Sequence, residues 1–220
     1  MRLYEDYRSE TYNAERIHYE PSYASLTSQV ARGAQEIKVR RAGSKRFLDA
    51  ALSPNELPTI LDYGGSDGRF IPDLPGSKFV FDISAVSPVP GVARIEKETD
   101  LAKYSIVLLA HVIEHVPHPL TLVRSVCKYI EPGGYLYIEV PQELTDEFLH
   151  ELKDGACPTD LTIHEHINYY STSAVRRLLE SAELELVAIE NEEVDVGWAR
   201  CPFVRALGRL PVSQDLQMRS

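Results

Sequence analysis

Three glycines fall within five positions of Thr59-Ile60-Leu61-Asp62-Tyr63-Gly64-Gly65-Ser66-Asp67-Gly68-Arg69-Phe70, just after a short apolar run. Such a backbone can turn sharply and approach a ligand where a Cβ would collide, so the segment predicts a buried strand ending in a ligand-holding loop. A dinucleotide-binding loop would need glycine at 64, 66 and 69, but this chain has Ser66 and Arg69, so that fingerprint fails at two of three positions. No Gly-Lys-Ser or Gly-Lys-Thr follows, which excludes a P-loop. What remains is a loop for a nucleoside-like body. Asp82, ending the next apolar run, is placed to accept two hydrogen bonds from a ribose diol.

Two histidine clusters offer further chemistry. His111-Val112-Ile113-Glu114-His115 matches the H-x-x-E-H pattern, in which two histidines one helical turn apart bind zinc beside a catalytic glutamate. That pattern needs a helix through all five residues. Here an apolar run reading as a strand ends at Ala110, and Pro117 and Pro119 follow, so a zinc hydrolase built on His111, Glu114 and His115 is only an alternative. Glu114 and His115 read as structural, and no metal site is expected. His164-Glu165-His166-Ile167-Asn168-Tyr169-Tyr170-Ser171 lies in a polar loop before a helix, at the open end of the expected sheet, where doubly wound folds hold their ligands. His164 and His166 are candidate bases there, and Glu165 could orient a ring or hold a substrate hydroxyl.

The elements that must position these groups follow from periodicity. Short apolar runs at Thr59 to Tyr63, Lys78 to Asp82, Val92 to Ile95, Ser105 to Ala110 and Tyr135 to Val140 alternate with helical stretches, which predicts a parallel sheet covered by helices. Leu120 to Ile130 reads as a helix and Pro132-Gly133-Gly134 as a turn. Ser171 to Ser173 offers an N-cap to a helix with Ala174, Val175, Leu178, Leu179 and Ala182 on one face, and a strand from Glu185 to Ile189 follows. Upstream, Leu26, Val30, Ala34 and Ile37 recur at helical spacing, from a start at Pro21-Ser22 to a break at Ser53-Pro54-Asn55. The expected division is a helical segment over residues 1–57 that covers the pocket, a main domain over 58–212 and a tail over 213–220. Tyrosines at 4, 7, 12, 19 and 23 crowd the leading segment, to pack it on the core or line the pocket. Lys38, Arg40, Arg41, Lys45 and Arg46 put five cations within nine residues. They read as a solvated helix face, with a phosphate site as the alternative.

Composition narrows the partners. A chain of 220 residues, 44% of them hydrophobic, can bury one good core, so a single α/β domain with a small appendage is expected. The net charge of −10 and pI near 5.2 argue against nucleic acid as the main partner and favour small molecules. Cys127, Cys157 and Cys201 lack C-x-x-C spacing, which fits a reducing compartment and offers no cysteine zinc site. The start reads as no signal peptide and no apolar run approaches ~18 residues, so a cytoplasmic protein without a membrane span is expected.

Taken together, Leu61-Asp62-Tyr63-Gly64-Gly65-Ser66-Asp67-Gly68, Asp82, the run Tyr104 to Val116 and Ile130-Glu131-Pro132-Gly133-Gly134-Tyr135-Leu136 resemble the class I S-adenosylmethionine-dependent methyltransferases. The likeness covers roughly residues 58 to 190, and four weak motifs in the right order and spacing are jointly specific. It departs from the family at Ser66, where a glycine is usual. The resemblance implies a Rossmann-like, doubly wound α/β sheet of seven mostly parallel strands, the last antiparallel and formed between Arg200 and Arg209, preceded by N-terminal helices. It further implies that Gly64 and its neighbours Asp62, Gly65, Ser66 and Gly68 meet the methionine part of the cofactor, Asp82 its ribose, Asp100 the adenine edge, and Ala110 with His111 the methionine side. The His164 to Ser171 segment resembles that of a subgroup methylating deoxysugars, capsules and O-antigens. The expected acceptor is therefore a sugar hydroxyl or sugar carbon, nucleotide-linked or polymer-linked. The rival expectation is a cofactor-binding module that has lost catalysis.

Overall fold

The structure is a computed structural model that describes residues 30–52, 58–84, 86–142, 166–196 and 200–212, together with Ala14, His18, His150 and Lys153. Helix α1 (Val30–Ala51) precedes strands β1 (Thr59–Tyr63), β2 (Ser77–Phe81), β3 (Val92–Ile95) and β4 (Tyr104–Ala110). Helix α2 (Pro119–Val126), β5 (Ile130–Pro141), α3 (Thr172–Ser181), β6 (Glu185–Asp195) and β7 (Arg200–Arg209) follow. The seven strands form one sheet in the order β3-β2-β1-β4-β5-β7-β6. Strands β1 to β5 pair parallel, and β7 runs antiparallel to both β5 and β6. The expected fold and the antiparallel last strand are both present.

Central strands are buried on both faces. In β4, Ile106, Val107, Leu108 and Leu109 are each at most 2% exposed, so alternate residues feed two cores, as a covered parallel sheet requires. One core joins Val107, Leu109, Leu136, Ile138 and Val140 to Val123 and Val126 of α2 and Val175 and Leu179 of α3. The other joins Ile60, Ile106, Leu108, Tyr137 and Leu207 to Phe47 and Leu48 of α1.

The expected alternation of strand and helix fails early in the sheet. Residues 64–76 and the described residues of 82–91 form turns, not helices. Gly64, Gly65, Gly68, Pro72, Pro75 and Gly76 crowd the first connection, and each disfavours helix through excess backbone freedom or a missing N–H. Ile71 and Leu74 of the first connection pack beside Phe47 and Leu48 of α1 in the second core.

The buried face of α1 also differs from expectation. Arg40, Gly43, Ser44, Phe47 and Leu48 are buried and Ile37 partly so, whereas Ala34 is exposed, so the expected stripe fails at Ala34; Leu26 lies outside the described residues. Gly43 is needed for close approach, since a Cβ there would lie 2.5 Å from Nη2 of Arg205 on β7. The cationic run is a solvated face except at one position. Lys38 and Arg46 are exposed and Arg41 and Lys45 partly so, with Arg46 contacting Glu190 at 2.8 Å and Glu192 at 3.0 Å, whereas Arg40 is 5% exposed. The phosphate alternative loses Arg40, which pairs with Glu36 and Glu139. Among the described residues no helix is long and apolar enough to cross a membrane.

Candidate functional site

At the carboxyl end of β1 the chain enters left-handed backbone at Gly64 (φ +79°), Ser66 (φ +57°) and Gly68 (φ +75°). That region costs an L-residue about 1–2 kcal/mol and costs glycine nothing comparable. A Cβ on Gly64 would stand 2.9 Å from Cγ2 of Val112, and one on Gly65 would overlap the Asp62 carboxylate. Ser66 holds the same backbone region with a side chain present. Its amide donates to Oδ2 of Asp82 at 2.8 Å, while the amide of Ser84 donates to Oδ1 at 2.7 Å. One carboxylate at the end of β2 thus clasps the loops after β1 and β2.

Asp62 lies beneath that loop, 1% exposed. Burial raises its carboxyl to about 7; Arg40 opposes the rise, and Asp82, Glu139 and Asp67 add to it. Its Oδ1 has no hydrogen-bond partner among the described residues. A buried acceptor beside a glycine cradle fits a cationic ligand group, and the Asp82 clasp leaves lone pairs for a diol. These residues therefore fit a cofactor that carries an ammonium, a sulfonium and a ribose.

The next strand supplies the facing wall. His111 follows β4 with φ +56°, its amide donating to the Glu139 carbonyl at 2.8 Å. Its ring stands edge-on to Phe203, centroids 5.0 Å apart, with Nε2 3.5 Å from Oε1 of Glu139. Burial and the nearby Arg40 charge lower the His111 imidazole to about 4 despite Glu139, so it is neutral at working pH. For Glu139 burial acts upward, but Arg40, His111 and Arg205 hold it well below the usual carboxylate range.

Beyond His111 the chain forms a 3-10 turn, Ile113–His115, with Glu114 fully buried. The segment before α3 is tied to this turn. The amides of Ile167 and Asn168 donate to the Glu114 carbonyl at 2.9 and 3.1 Å. Asn168 Nδ2 donates to the carbonyls of Ile113 (3.2 Å) and Val116 (2.6 Å), and the Tyr170 hydroxyl donates to that of Ile113 at 3.1 Å. The bonds bring the rings of His166 and His115 edge to face with centroids 4.8 Å apart.

A cleft of about 790 Å³ runs between these two regions, large enough for a nucleoside-sized ligand. Asp62, Gly64, Gly65, Ser66, Asp82, Ala110, His111 and His166 all line it. Gly68 does not. It is packed behind the loop, where a Cβ would meet Cγ1 of Val92 at 2.9 Å. Asp100 is exposed in the turn before β4 and is not among the lining residues. His164 and Glu165 lie outside the described residues, as do the five leading tyrosines. The motif His111 to His115 has no helix through it, so its two imidazoles do not share a helical face.

His115 and Arg40 are among the lining residues that the sequence pattern did not single out. His115 read as structural, yet it lines the cleft beside His166; its place just past the carboxyl end of a central strand was the available signal. Arg40 reaches the cleft from α1, its guanidinium 4.0 Å above the Phe70 ring. Nothing in a helical run of cations distinguished it.

Comparison with known proteins places this architecture. The ubiquinone biosynthesis O-methyltransferase of Aliivibrio fischeri (strain MJ11) is 24% identical over 100 residues, 44% of this chain and 43% of that protein; the chain thus spans less than half the length of the curated relatives it matches. Among solved structures, magnesium protoporphyrin IX methyltransferase from Synechocystis PCC 6803, with bound SAH, superposes with a TM-score of 0.59 at 13% identity, covering 93% of this chain and 97% of that one. The 1,6-didemethyltoxoflavin-N1-methyltransferase of Burkholderia thailandensis gives a TM-score of 0.54 at 13% identity, covering 90% and 85%. At such identities these two establish the shared fold. A family profile described as a methyltransferase domain matches residues 35–189, well over half of the chain, and the protein accordingly belongs to the class I S-adenosylmethionine-dependent methyltransferases.

Proposed function

We propose that this enzyme methylates a hydroxyl of a small polar acceptor, a sugar hydroxyl first among them, with His166 as the base that takes the hydroxyl proton. The observation that carries this proposal is the cleft itself, which has the glycine loop and Asp82 at one end and the imidazoles of His115 and His166 at the other. S-adenosylmethionine, when bound, supplies an electrophilic methyl group on a sulfonium.

The chain's own residues do the rest. The backbone at Gly64 and Gly65 admits the methionine part at close range, Asp62 offers its buried oxygen to the ammonium, and Asp82 holds the ribose diol. Positioning and exclusion of water supply most of the acceleration that an in-line methyl transfer needs. An alcohol must also lose its proton, and an imidazole that titrates near working pH is suited to accept it. His115 packs against the His166 ring. His164 and Glu165, in the same polar loop, are the remaining candidates for binding or deprotonating the acceptor. Asp100, exposed before β4, is retained only for the adenine edge. A cytoplasmic setting suits a nucleotide-linked sugar.

A second reading is favoured by the A. fischeri relative, whose name specifies O-methylation in ubiquinone biosynthesis: a phenolic ring hydroxyl as the acceptor. The test is a panel of free and nucleotide-linked sugars and a dihydroxybenzene, scored by S-adenosylhomocysteine formation and by NMR of the methylated atom. A methoxy sugar supports the first acceptor class and a methoxyarene the second. A methyl on carbon would overturn both. Cofactor binding without turnover on any acceptor would favour a module that has lost catalysis.

A further inference from the structure

We propose that Glu114, His115 and His166 form a binding site for one divalent transition ion of the zinc type at the histidine end of the cleft. One ligand atom from each, two imidazole nitrogens and a carboxylate oxygen, lies within 4.8 Å of the others. With two imidazoles and one carboxylate, this donor set suits zinc, copper, iron or nickel better than calcium, magnesium or manganese. Ligand atoms around a tetrahedral zinc stand roughly 3.3 Å apart. Closing from 4.8 Å needs only side-chain rotation, because the backbone that carries the three residues is already held together.

That backbone is built for convergence. Glu114 and His115 sit on one 3-10 turn, and His166 directly precedes two residues whose amides donate to the Glu114 carbonyl. The Asn168 side chain and the Tyr170 hydroxyl add three bonds to carbonyls of the same turn. His111 provides an outer contact, its Nδ1 3.4 Å from Oε1 of Glu114, in the place where metal sites orient a ligating carboxylate. This trio is not the one the H-x-x-E-H pattern implies. His111 faces Glu139 and Phe203, and its ligand place is taken by His166, from a different segment.

His115 and His166 also line the cleft, so a fourth coordination position opens towards whatever fills it. An ion and a proton compete for the same imidazole nitrogens. Saturating ion therefore lowers any turnover that depends on His166 as a base, a consequence that rests on the methyl transfer proposed above. Occupancy of the site does not rest on it.

The test uses the full chain without cofactor, stripped of metal and titrated with Zn²⁺ against a chromophoric chelator, alongside His115→Ala, His166→Ala and the exposed control His118→Ala. The expected result is one ion per chain, with a dissociation constant of roughly 10 μM or below in the parent and in the control, weakened at least about 100-fold in each of the other two variants. Circular dichroism checks the fold of each variant. If either histidine variant unfolds, X-ray absorption at the zinc edge of the unsubstituted chain decides, two imidazoles with oxygen being expected. No binding below about 1 mM, stoichiometric binding retained by either folded variant, or a spectrum without two imidazoles overturns the site. Cofactor affinity, measured separately on the unsubstituted chain and on the His118→Ala control, stays intact whether or not the ion binds if the cofactor cleft is correctly assigned.

Discussion

Arg40 of α1 and Glu139 of β5 meet as a buried ion pair, with Nε and Nη2 of the guanidinium 3.0 and 2.9 Å from the same Oε1. The pair fastens the helix that precedes the sheet to strand β5. Glu139 also accepts from Arg205 at 2.9 Å and from the Tyr137 hydroxyl at 2.9 Å, so one carboxylate serves two buried cations. Glu139→Gln removes the shared counter-charge while keeping the volume, and breaking such a pair typically costs about 3–5 kcal/mol. Urea denaturation is expected to show a loss near the low end, because Glu36 and Glu190 still contact the arginines. The folded carboxyl lies below its unfolded value, so its contribution is complete above the unfolded carboxylate range and fades as pH falls beneath it. Stability of the parent should therefore drop more steeply below about pH 4.5 than that of the variant.

Ser66 occupies left-handed backbone that favours glycine. Ser66→Gly is expected to raise stability by up to about 1 kcal/mol in urea melts, with cofactor affinity held or improved. Gly64→Ala acts in the opposite sense, since it combines a φ of +79° with a Cβ 2.9 Å from Val112. Calorimetric titration should show cofactor binding at least about tenfold weaker with the fold retained.

Asp62, proposed to meet the cofactor's ammonium, is expected to give cofactor binding a pH dependence. Its carboxyl is raised to about 7 in the fold, chiefly by burial. The neutral form is the one the fold favours, so its stabilising effect is complete below the unfolded carboxylate value and is lost as pH rises through about 7. A cationic ligand prefers the ionised form. S-adenosylmethionine should consequently bind more tightly as pH rises from 6 to 8, and Asp62→Asn should bind weakly with that dependence flattened. An unchanged slope in the variant would remove Asp62 from the site.

Much of this cleft was legible in sequence because its glycine-loop end is local. The glycines at 64, 65 and 68 follow their strand directly, and Asp82 ends the next one; turn chemistry and period-two patterning suffice to find them. Arg40 was opaque because its partner, Glu139, is 99 positions away. A cation on a helix looks solvated until the strand opposite is known. The pairing of His115 with His166 was hidden for the same reason, through bonds between a turn and a distant segment. The absence of helix over 64–76, by contrast, was written in six glycines and prolines that the α/β pattern overrode.

Asn168 supplies a check on the histidine end. Its amide spans the carbonyls of Ile113 and Val116, so Asn168→Ala leaves the Val116 carbonyl without that donor and the Ile113 carbonyl with Tyr170 alone, and loosens the segment carrying His166. The expected cost is about 1–3 kcal/mol in denaturant. Turnover should fall while the cofactor dissociation constant stays near that of the parent.

The most direct test of the account is single-turnover methyl transfer by His166→Ala on the best acceptor of the panel, with cofactor affinity measured on the same preparation. The expected rate is reduced by about 10²–10⁴-fold at neutral pH, with cofactor affinity within a few-fold of the parent. A variant that transfers the methyl group at the parental rate would contradict it.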